Sequence, residues 1–219
     1  MKPLAIITGY GPGLGHALDE RFEQGGYQSI GIARSSGHFQ ADLTDSKQTH
    51  TVINEIIKQH GKPKVVIHNA AELIRGKFLE LETNDFERAW RNSVLTAINI
   101  SQAVIPFMQE HKTSTLILTG ATASTRGGVG FSPFSSAKFA LRGLAQSLAR
   151  EFQPQGVHIV HPVIDGIIWS ELSRQRFPTL QEENCLKSES LANIYWDLAH
   201  QTPSAWTHEL DIRPQSETF

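Results

Sequence analysis

Residues 4–15 read LAIITGYGPGLG, and this stretch decides the fold. Leu4–Thr8 is a short apolar run that predicts a buried strand, and apolar residues then recur at helical spacing from Leu14 to Phe22. The glycines that allow a tight turn and a close approach to a diphosphate are Gly9, Gly13 and Gly15. Because the helix N-terminus adds free N–H groups and a positive dipole end, the stretch predicts a dinucleotide-binding unit.

Short apolar runs and longer helical patterns alternate along the rest of the chain, which is typical of βαβ units. The further predicted strands are Ser29–Ala33, Val65–Ile67, Thr115–Thr119, Val157–His161 and Trp206–Ile212. The further predicted helices are Asp45–His60, Asn84–Glu110 (kinked or divided near Pro106) and Phe134–Phe152. The polar stretch Pro178–Ser190 predicts a surface excursion. Residues 1–219 therefore predict one Rossmann-fold α/β domain, a doubly wound parallel sheet of about seven strands with helices on both faces.

The composition is that of an ordinary globular protein, with 39% apolar and 19% charged residues among 219 and a net charge of −2. This near-neutral balance gives no electrostatic attraction to nucleic acid or to an anionic membrane. The N-terminus lacks a secretory signal, and no window reaches the ~20 apolar residues of a membrane span. Cys185 is the one cysteine. We expect a soluble cytoplasmic protein with no disulfide, no metal, and no nucleic-acid or membrane partner.

Motifs in a fixed order resemble the short-chain dehydrogenase/reductase family over nearly the whole chain. Its glycine signature, Thr-Gly-x-x-x-Gly-x-Gly, is matched by Thr8, Gly9, Gly13 and Gly15. Its acidic adenine contact is similar to Asp42, which precedes Leu43. Its Asn-Asn-Ala-Gly segment is matched in part by Asn69 and Ala70, and its helix-borne catalytic asparagine resembles Asn92. The resemblance implies a nicotinamide dinucleotide cofactor.

Arg34 follows the second predicted strand, where NAD-preferring sites tend to place a carboxylate for the adenine ribose. An arginine there suits a 2′-phosphate, so we expect NADP(H) in preference to NAD(H); the alternative is a solvated loop arginine. The family's Pro-Gly segment is matched only by Pro162, with Asp165 and Gly166 read as a turn. The residues expected at the cofactor are Thr8, Gly9, Gly13, Leu14, Gly15, Arg34, Asp42, Leu43, Asn69, Ala70, Lys138, Pro162 and Ile167.

The stretch from Phe134 to Lys138 resembles the family's active-site helix, Tyr-x-x-x-Lys, with a phenylalanine at the tyrosine position. Residues four apart share a helix face, so Lys138 is expected beside the ring of Phe134. Ala121 stands where the family has its catalytic serine. A phenyl ring and a methyl group have no proton to donate. The resemblance therefore implies a half-complete catalytic set, with Asn92 and Lys138 retained.

Other groups offer an alternative proton source. His68 and His161 lie at strand ends near the expected cofactor, and histidine titrates near neutral pH. Lys138 becomes a donor if burial lowers its pKa. The hydroxyls near in sequence are poor acids: Thr122, Ser124, Ser135 and Ser136.

The sequence supports an oxidoreductase that transfers hydride between NADP(H) and a small carbonyl or alcohol substrate, with a non-standard proton donor. The alternatives are a catalytically inactive dinucleotide-binding regulator or sensor, and an enzyme of another reaction class. Trp169–Leu180 is expected to cap a substrate pocket. By analogy with the family, the helices Asn84–Glu110 and Phe134–Phe152 predict a homodimer or homotetramer.

Overall fold

A parallel sheet with the strand order β3-β2-β1-β4-β5-β6-β7 forms the centre of the molecule. The structure is a computed structural model that describes residues 2–217. The strands are β1 Leu4–Thr8, β2 Gln28–Ala33, β3 Phe39–Gln40, β4 Pro63–His68, β5 Ser114–Leu118, β6 Val157–Ile164 and β7 Glu209–Ile212. The helices are α1 Leu14–Gln24, α2 Ser46–His60, α3 Thr83–Trp90, α4 Thr96–Met108, α5 Ser132–Phe152, α6 Glu171–Arg176 and α7 Ser188–Ala199.

The strand order reverses at β1, and this reversal positions the site. β1 pairs with β2 on one side and with β4 on the other, so that Thr8 lies opposite both Ile32 and His68. The chain crosses from β3, at one edge, back to the middle of the sheet through α2. Such a reversal leaves a crevice beyond the carboxyl ends of the strands, where α/β proteins bind their ligands.

Alternating side chains of each strand fill two cores, one on each face of the sheet. Leu4 and Ile6 of β1 belong to the core that α2, α4 and α5 cover. Ala5 and Ile7 belong to the opposite core, which α1 and α7 cover. Both faces of the sheet are therefore buried, as the continuous apolar strands require.

The predicted fold class is confirmed, and β1 has the predicted bounds. β3 and α7 are among the elements that the sequence analysis did not predict. β3 is only the two residues Phe39–Gln40 and is too short to show a pattern. α7 begins at Ser188, inside the stretch that was predicted as a surface excursion; Cys185 and Leu186 of that stretch are buried.

β6 is longer than predicted, and this corrects the placement of Pro162. The strand runs to Ile164 rather than ending at His161, so Pro162 lies inside it, opposite Leu210 of β7. The backbone N–H groups of His161 and Asp165 donate hydrogen bonds on the β7 side of β6. The nitrogen of Pro162, the next residue after His161, therefore faces the β5 side. The pairing of β6 with β5 ends at Val160, so no ladder hydrogen bond is lost there. The strand therefore tolerates a proline at this position.

The long helical stretch predicted for Asn84–Glu110 changes geometry at Arg91–Leu95, a π-helical turn between α3 and α4, and not at Pro106. Pro106 lies inside α4, near its end. π-helical turns often occur at functional sites, and this one contains Asn92. Within residues 2–217, no helix has the length and apolar character needed to cross a membrane.

Candidate functional site

The turn between β1 and α1 is shaped by glycines that no other residue could replace. Gly9 has a φ of +70°, and a Cβ there would lie 2.5 Å from the backbone nitrogen of Ala70. Gly13 has a φ of +100°, which favours glycine. α1 begins directly afterwards with no side-chain cap and no acidic residue in its first turn. Its first N–H groups are therefore available to an anion such as a diphosphate.

A first cavity of about 270 Å³ opens beside this turn. It contains seven of the predicted site residues: Gly9, Arg34, Asp42, Leu43, Asn69, Ala70 and Asn92. Arg34 is exposed, and Ser35 and Ser36 line the cavity beside it. The carboxylate of Asp42 accepts hydrogen bonds from the backbone N–H (2.9 Å) and the hydroxyl (2.8 Å) of Thr44, which fix its direction.

A second, more apolar cavity of about 620 Å³ lies beyond Asn69, which lines both cavities. Besides Asn69 it contains four of the predicted site residues: Ala121, Phe134, Lys138 and Ile167. The predicted cap also borders it, through Ser170, Leu172, Ser173, Arg176 and Phe177. Neither lining includes the end of β1 at Thr8, the turn at Gly13 or the first residues of α1, Leu14 and Gly15. Pro162 lies within β6 and lines neither cavity.

Lys138 is the one buried ammonium in the walls of the second cavity, within residues 2–217. Its side chain is 3% exposed, and its Nζ donates a hydrogen bond of 2.8 Å to the carbonyl oxygen of Thr119. The same Nζ lies 5.7 Å from the ring centroid of Phe134, as the spacing of four predicts. Burial lowers the pKa of Lys138 to about 8, because desolvation penalises the charged form. The tyrosine hydroxyl of Tyr195 supports this arrangement by donating to Oγ1 of Thr119.

The two histidines near Lys138 are neutral at physiological pH. Both are fully buried, and desolvation lowers the pKa of His68 to about 3 and that of His161 to about 4. The neighbouring Lys138 lowers both values further, since like charges repel. A neutral imidazole is a very weak acid, so the structure favours Lys138 over either histidine as a proton source.

The side chain of Asn92 is held by hydrogen bonds to Glu72 and Arg88. Its side-chain amide donates to Oε2 of Glu72 at 2.6 Å and to the carbonyl oxygen of Arg88 at 3.1 Å. Its backbone carbonyl oxygen accepts from the hydroxyl of Thr96, which is also hydrogen-bonded to Nε2 of His68. Asn92 lines the first cavity and not the second.

The nearby hydroxyls differ in their availability. Ser124 accepts from the backbone N–H of Ala121, and Ser136 donates to the carbonyl oxygen of Pro133. Ser135 is buried and lines the second cavity, and its hydroxyl has no hydrogen-bond partner within residues 2–217. Thr122 also lines that cavity.

Asp165 forms more than the turn that was predicted. Its carboxylate is buried between Arg126 and Arg213, with an oxygen 3.1 Å from each guanidinium. Arg126 and Arg176, which both line the second cavity, had no recognisable signal in the sequence. Their positions depend on tertiary contacts of the loops that follow β5 and β6.

Residues 3–181 match the family model described as short chain dehydrogenase. A 3-ketodihydrosphingosine reductase of Mus musculus is 28% identical over 186 residues, which cover 72% of this chain but only 56% of that protein. The chain thus spans little more than half the length of this relative and of its Bos taurus counterpart. An NADPH-dependent pterin aldehyde reductase of Arabidopsis thaliana is 25% identical over 218 residues, covering 92% of this chain and 83% of that protein.

The crystal structure of a short-chain dehydrogenase from Rhodopseudomonas palustris has a TM-score of 0.81 to this structure, with 26% identity. The match covers 97% of this chain and 98% of that one. The family match, the seven-stranded sheet and the glycine turn agree. The chain therefore belongs to the short-chain dehydrogenase family.

Proposed function

We propose that this protein is an NADP(H)-dependent oxidoreductase that acts on a small carbonyl or alcohol substrate, with Lys138 as its proton donor. The observation that carries the proposal is the buried Lys138 ammonium in the wall of an apolar cavity, joined through Asn69 to a cavity beside the glycine turn. The NADPH-dependent reductase among the relatives supports a cofactor of the same class.

The residues around the first cavity fit a dinucleotide. The free N–H groups at Gly13, Leu14 and Gly15 would hold the diphosphate, since the start of α1 has no side-chain cap. Asp42, Leu43, Asn69 and Ala70 would contact the adenosine half, and Lys138 and Ile167 the nicotinamide half. Thr8 would support the turn from β1. A bound reduced nicotinamide supplies the hydride for a carbonyl carbon.

Arg34 would select NADP(H) over NAD(H), because its exposed guanidinium and the hydroxyls of Ser35 and Ser36 suit a 2′-phosphate. We expect Arg34→Ala to weaken NADPH binding by about tenfold or more and to leave NADH binding unchanged. Isothermal titration of both dinucleotides measures this, with Arg150→Ala, at the far end of α5, as the control. Equal losses for the two dinucleotides would contradict the assignment.

Lys138 would supply the proton that the family's tyrosine normally provides. As the carbonyl carbon accepts hydride, the π electron pair of the C=O bond moves to oxygen, and that oxygen takes a proton from the Lys138 ammonium. Solvent then returns a proton to the amine. With a pKa of about 8, Lys138 is mostly charged at neutral pH and is a stronger acid than an ordinary lysine.

The test compares NADPH oxidation with a panel of aldehydes and ketones in the wild type, in Lys138→Met and in Phe134→Tyr with Ala121→Ser. We expect wild-type turnover, and a loss of about 10²-fold or more in Lys138→Met while NADPH still binds. The double variant restores the hydroxyls of the family pattern and should be faster than the wild type. Undiminished turnover in Lys138→Met would exclude the lysine as donor.

A second candidate function is a catalytically inactive dinucleotide-binding sensor. The replacement of both family hydroxyls, at Phe134 and Ala121, favours it. The same panel separates the candidates. If the wild type binds NADPH tightly but does not oxidise it, and the double variant does oxidise it, the protein is a binding protein whose site retains its geometry.

We also propose a homodimer or homotetramer. Trp90 and Phe139 are 41% and 44% exposed, on helices α3 and α5, which pack against one another. Large apolar side chains at this exposure suit burial against a second copy. Light scattering measures the mass, and a monomeric value would contradict the proposal.

A further inference from the structure

We infer that the substrate is amphipathic, with an apolar body, a carbonyl or hydroxyl group at one end, and an anionic group such as a carboxylate at the other, which Arg176 binds. This inference rests on the proposed oxidoreductase function and names its substrate class. Some of the charged side chains that line the second cavity are already balanced by the protein, and others are not.

Arg126 is balanced by the protein itself. Its Nη2 lies 3.1 Å from Oδ1 of the buried Asp165 and 3.7 Å from Oε1 of Glu217, which also lines the cavity. Two carboxylates therefore surround this one guanidinium. A further anion placed beside Arg126 would be repelled by both of them.

Arg176 is not balanced. It is the last residue of α6, it is exposed and it lines the second cavity. Within residues 2–217, no carboxylate lies within 4.0 Å of its guanidinium. A second cation lies close by, since the guanidinium of Arg75 is 4.9 Å from the ring centroid of Phe177, the next residue along the chain. This side of the cavity therefore carries excess positive charge and offers a planar donor group that suits a carboxylate.

The cavity wall suits an apolar body. Its lining is mostly apolar and includes three aromatic rings, those of Phe131, Phe134 and Phe177. Lys138 is the other cation of the lining without a carboxylate partner within residues 2–217, and the proposed chemistry assigns it to the carbonyl group. One cation is thus left for an anionic group, and that cation is Arg176.

The experiment uses two aldehydes that differ only in charge, 10-oxodecanoate and its methyl ester, with NADPH as reductant. We expect the wild type to prefer the acid by about tenfold in kcat/KM, and Arg176→Gln to reduce that ratio to about one. The matched control is Arg174→Gln. Arg174 lies on the same helix with its guanidinium over the ring of Trp169, outside the cavity lining, so the preference should persist.

A binding measurement separates this inference from the proposed function. The NADPH-loaded protein is titrated with decanoate and with 1-decanol in the wild type and in Arg176→Gln. Tighter binding of decanoate that disappears in Arg176→Gln supports the inference even if neither aldehyde is reduced, in which case the proposed oxidoreduction fails alone. Equal kcat/KM for acid and ester in the wild type, or a preference unchanged in Arg176→Gln, would overturn the inference and leave the oxidoreductase proposal standing.

Discussion

Lys138 shows how one buried residue acquires unusual chemistry from what surrounds it. Its ammonium donates to a backbone carbonyl, and no carboxylate forms an ion pair with it within residues 2–217. An ion pair would have offset the cost of desolvation and kept the pKa high. Because that compensation is missing, the pKa falls to about 8, near the pH at which a proton donor is effective.

In the proposed reaction this pKa would set the pH dependence of carbonyl reduction. The proton would come only from the charged lysine, so kcat/KM should be constant at neutral pH. It should then fall by about tenfold per pH unit above about pH 8. Initial rates from pH 6 to 10 with NADPH and one aldehyde measure the profile. If Lys138→Met retains activity with the same inflection, the inflection belongs to another group.

Asn92 illustrates what could not be predicted for single residues. Its position in the chain and its place in a helical segment were predictable, but its hydrogen bond to Glu72 joins residues 20 positions apart. Arg126 likewise depends on Asp165 and Glu217, which come from other segments. Contacts of this kind arise from tertiary packing, and a single sequence carries no local pattern for them.

At the scale of elements, the turn from β1 to α1 is the least tolerant part of the molecule. Gly9→Ala would place a methyl group against the Ala70 backbone at a positive φ, so we expect a loss of stability of about 2–4 kcal/mol together with weaker dinucleotide binding. Gly11→Ala is the matched control in the same turn, since a Cβ there meets nothing within 4 Å. Urea denaturation compares the two variants. Similar losses in both would mean that the turn is not constrained as described.

The elements that were predictable are those with a strong local pattern. β1 is an apolar run, and the turn after it contains glycines whose backbone conformation few other residues adopt. The predicted bounds of β1 and the predicted start of α1 agree with the structure. The predicted end of β6, at His161, was three residues short, because the strand continues through Pro162 to Ile164. Pro162 is tolerated in β6 because the pairing with β5 has already ended. Where β5 ends cannot be predicted from the residues of β6 alone.

At the scale of the whole molecule, buried histidines make stability depend on pH. His68 and His161 have pKa values of about 3 and 4 when folded, against 6.5 as ordinary values. Below pH 6.5 each histidine takes up a proton when the protein unfolds. Their contribution to the free energy of unfolding is therefore complete above pH 6.5 and is lost as the pH falls. At pH 5 the loss is about 2 kcal/mol for each histidine, or about 4 kcal/mol together.

Urea denaturation at pH 7.5 and pH 5 measures this difference. His161→Leu should remove about half of it, because it removes one of the two histidines whose pKa burial lowers. His50→Gln, on the exposed side of α2, should leave the difference unchanged. A free energy of unfolding that does not change between the two pH values would show that the histidines are charged in the folded state.

Asn69 and Ala71 line both cavities, and this shared wall has a kinetic consequence. In the proposed function the dinucleotide would occupy the first cavity and border the second, so the binding of the two ligands would be coupled. The dinucleotide would have to arrive before the organic reactant and depart after it. Steady-state turnover should therefore be sequential with a compulsory order, in which the oxidised dinucleotide inhibits competitively against NADPH and the alcohol product does not.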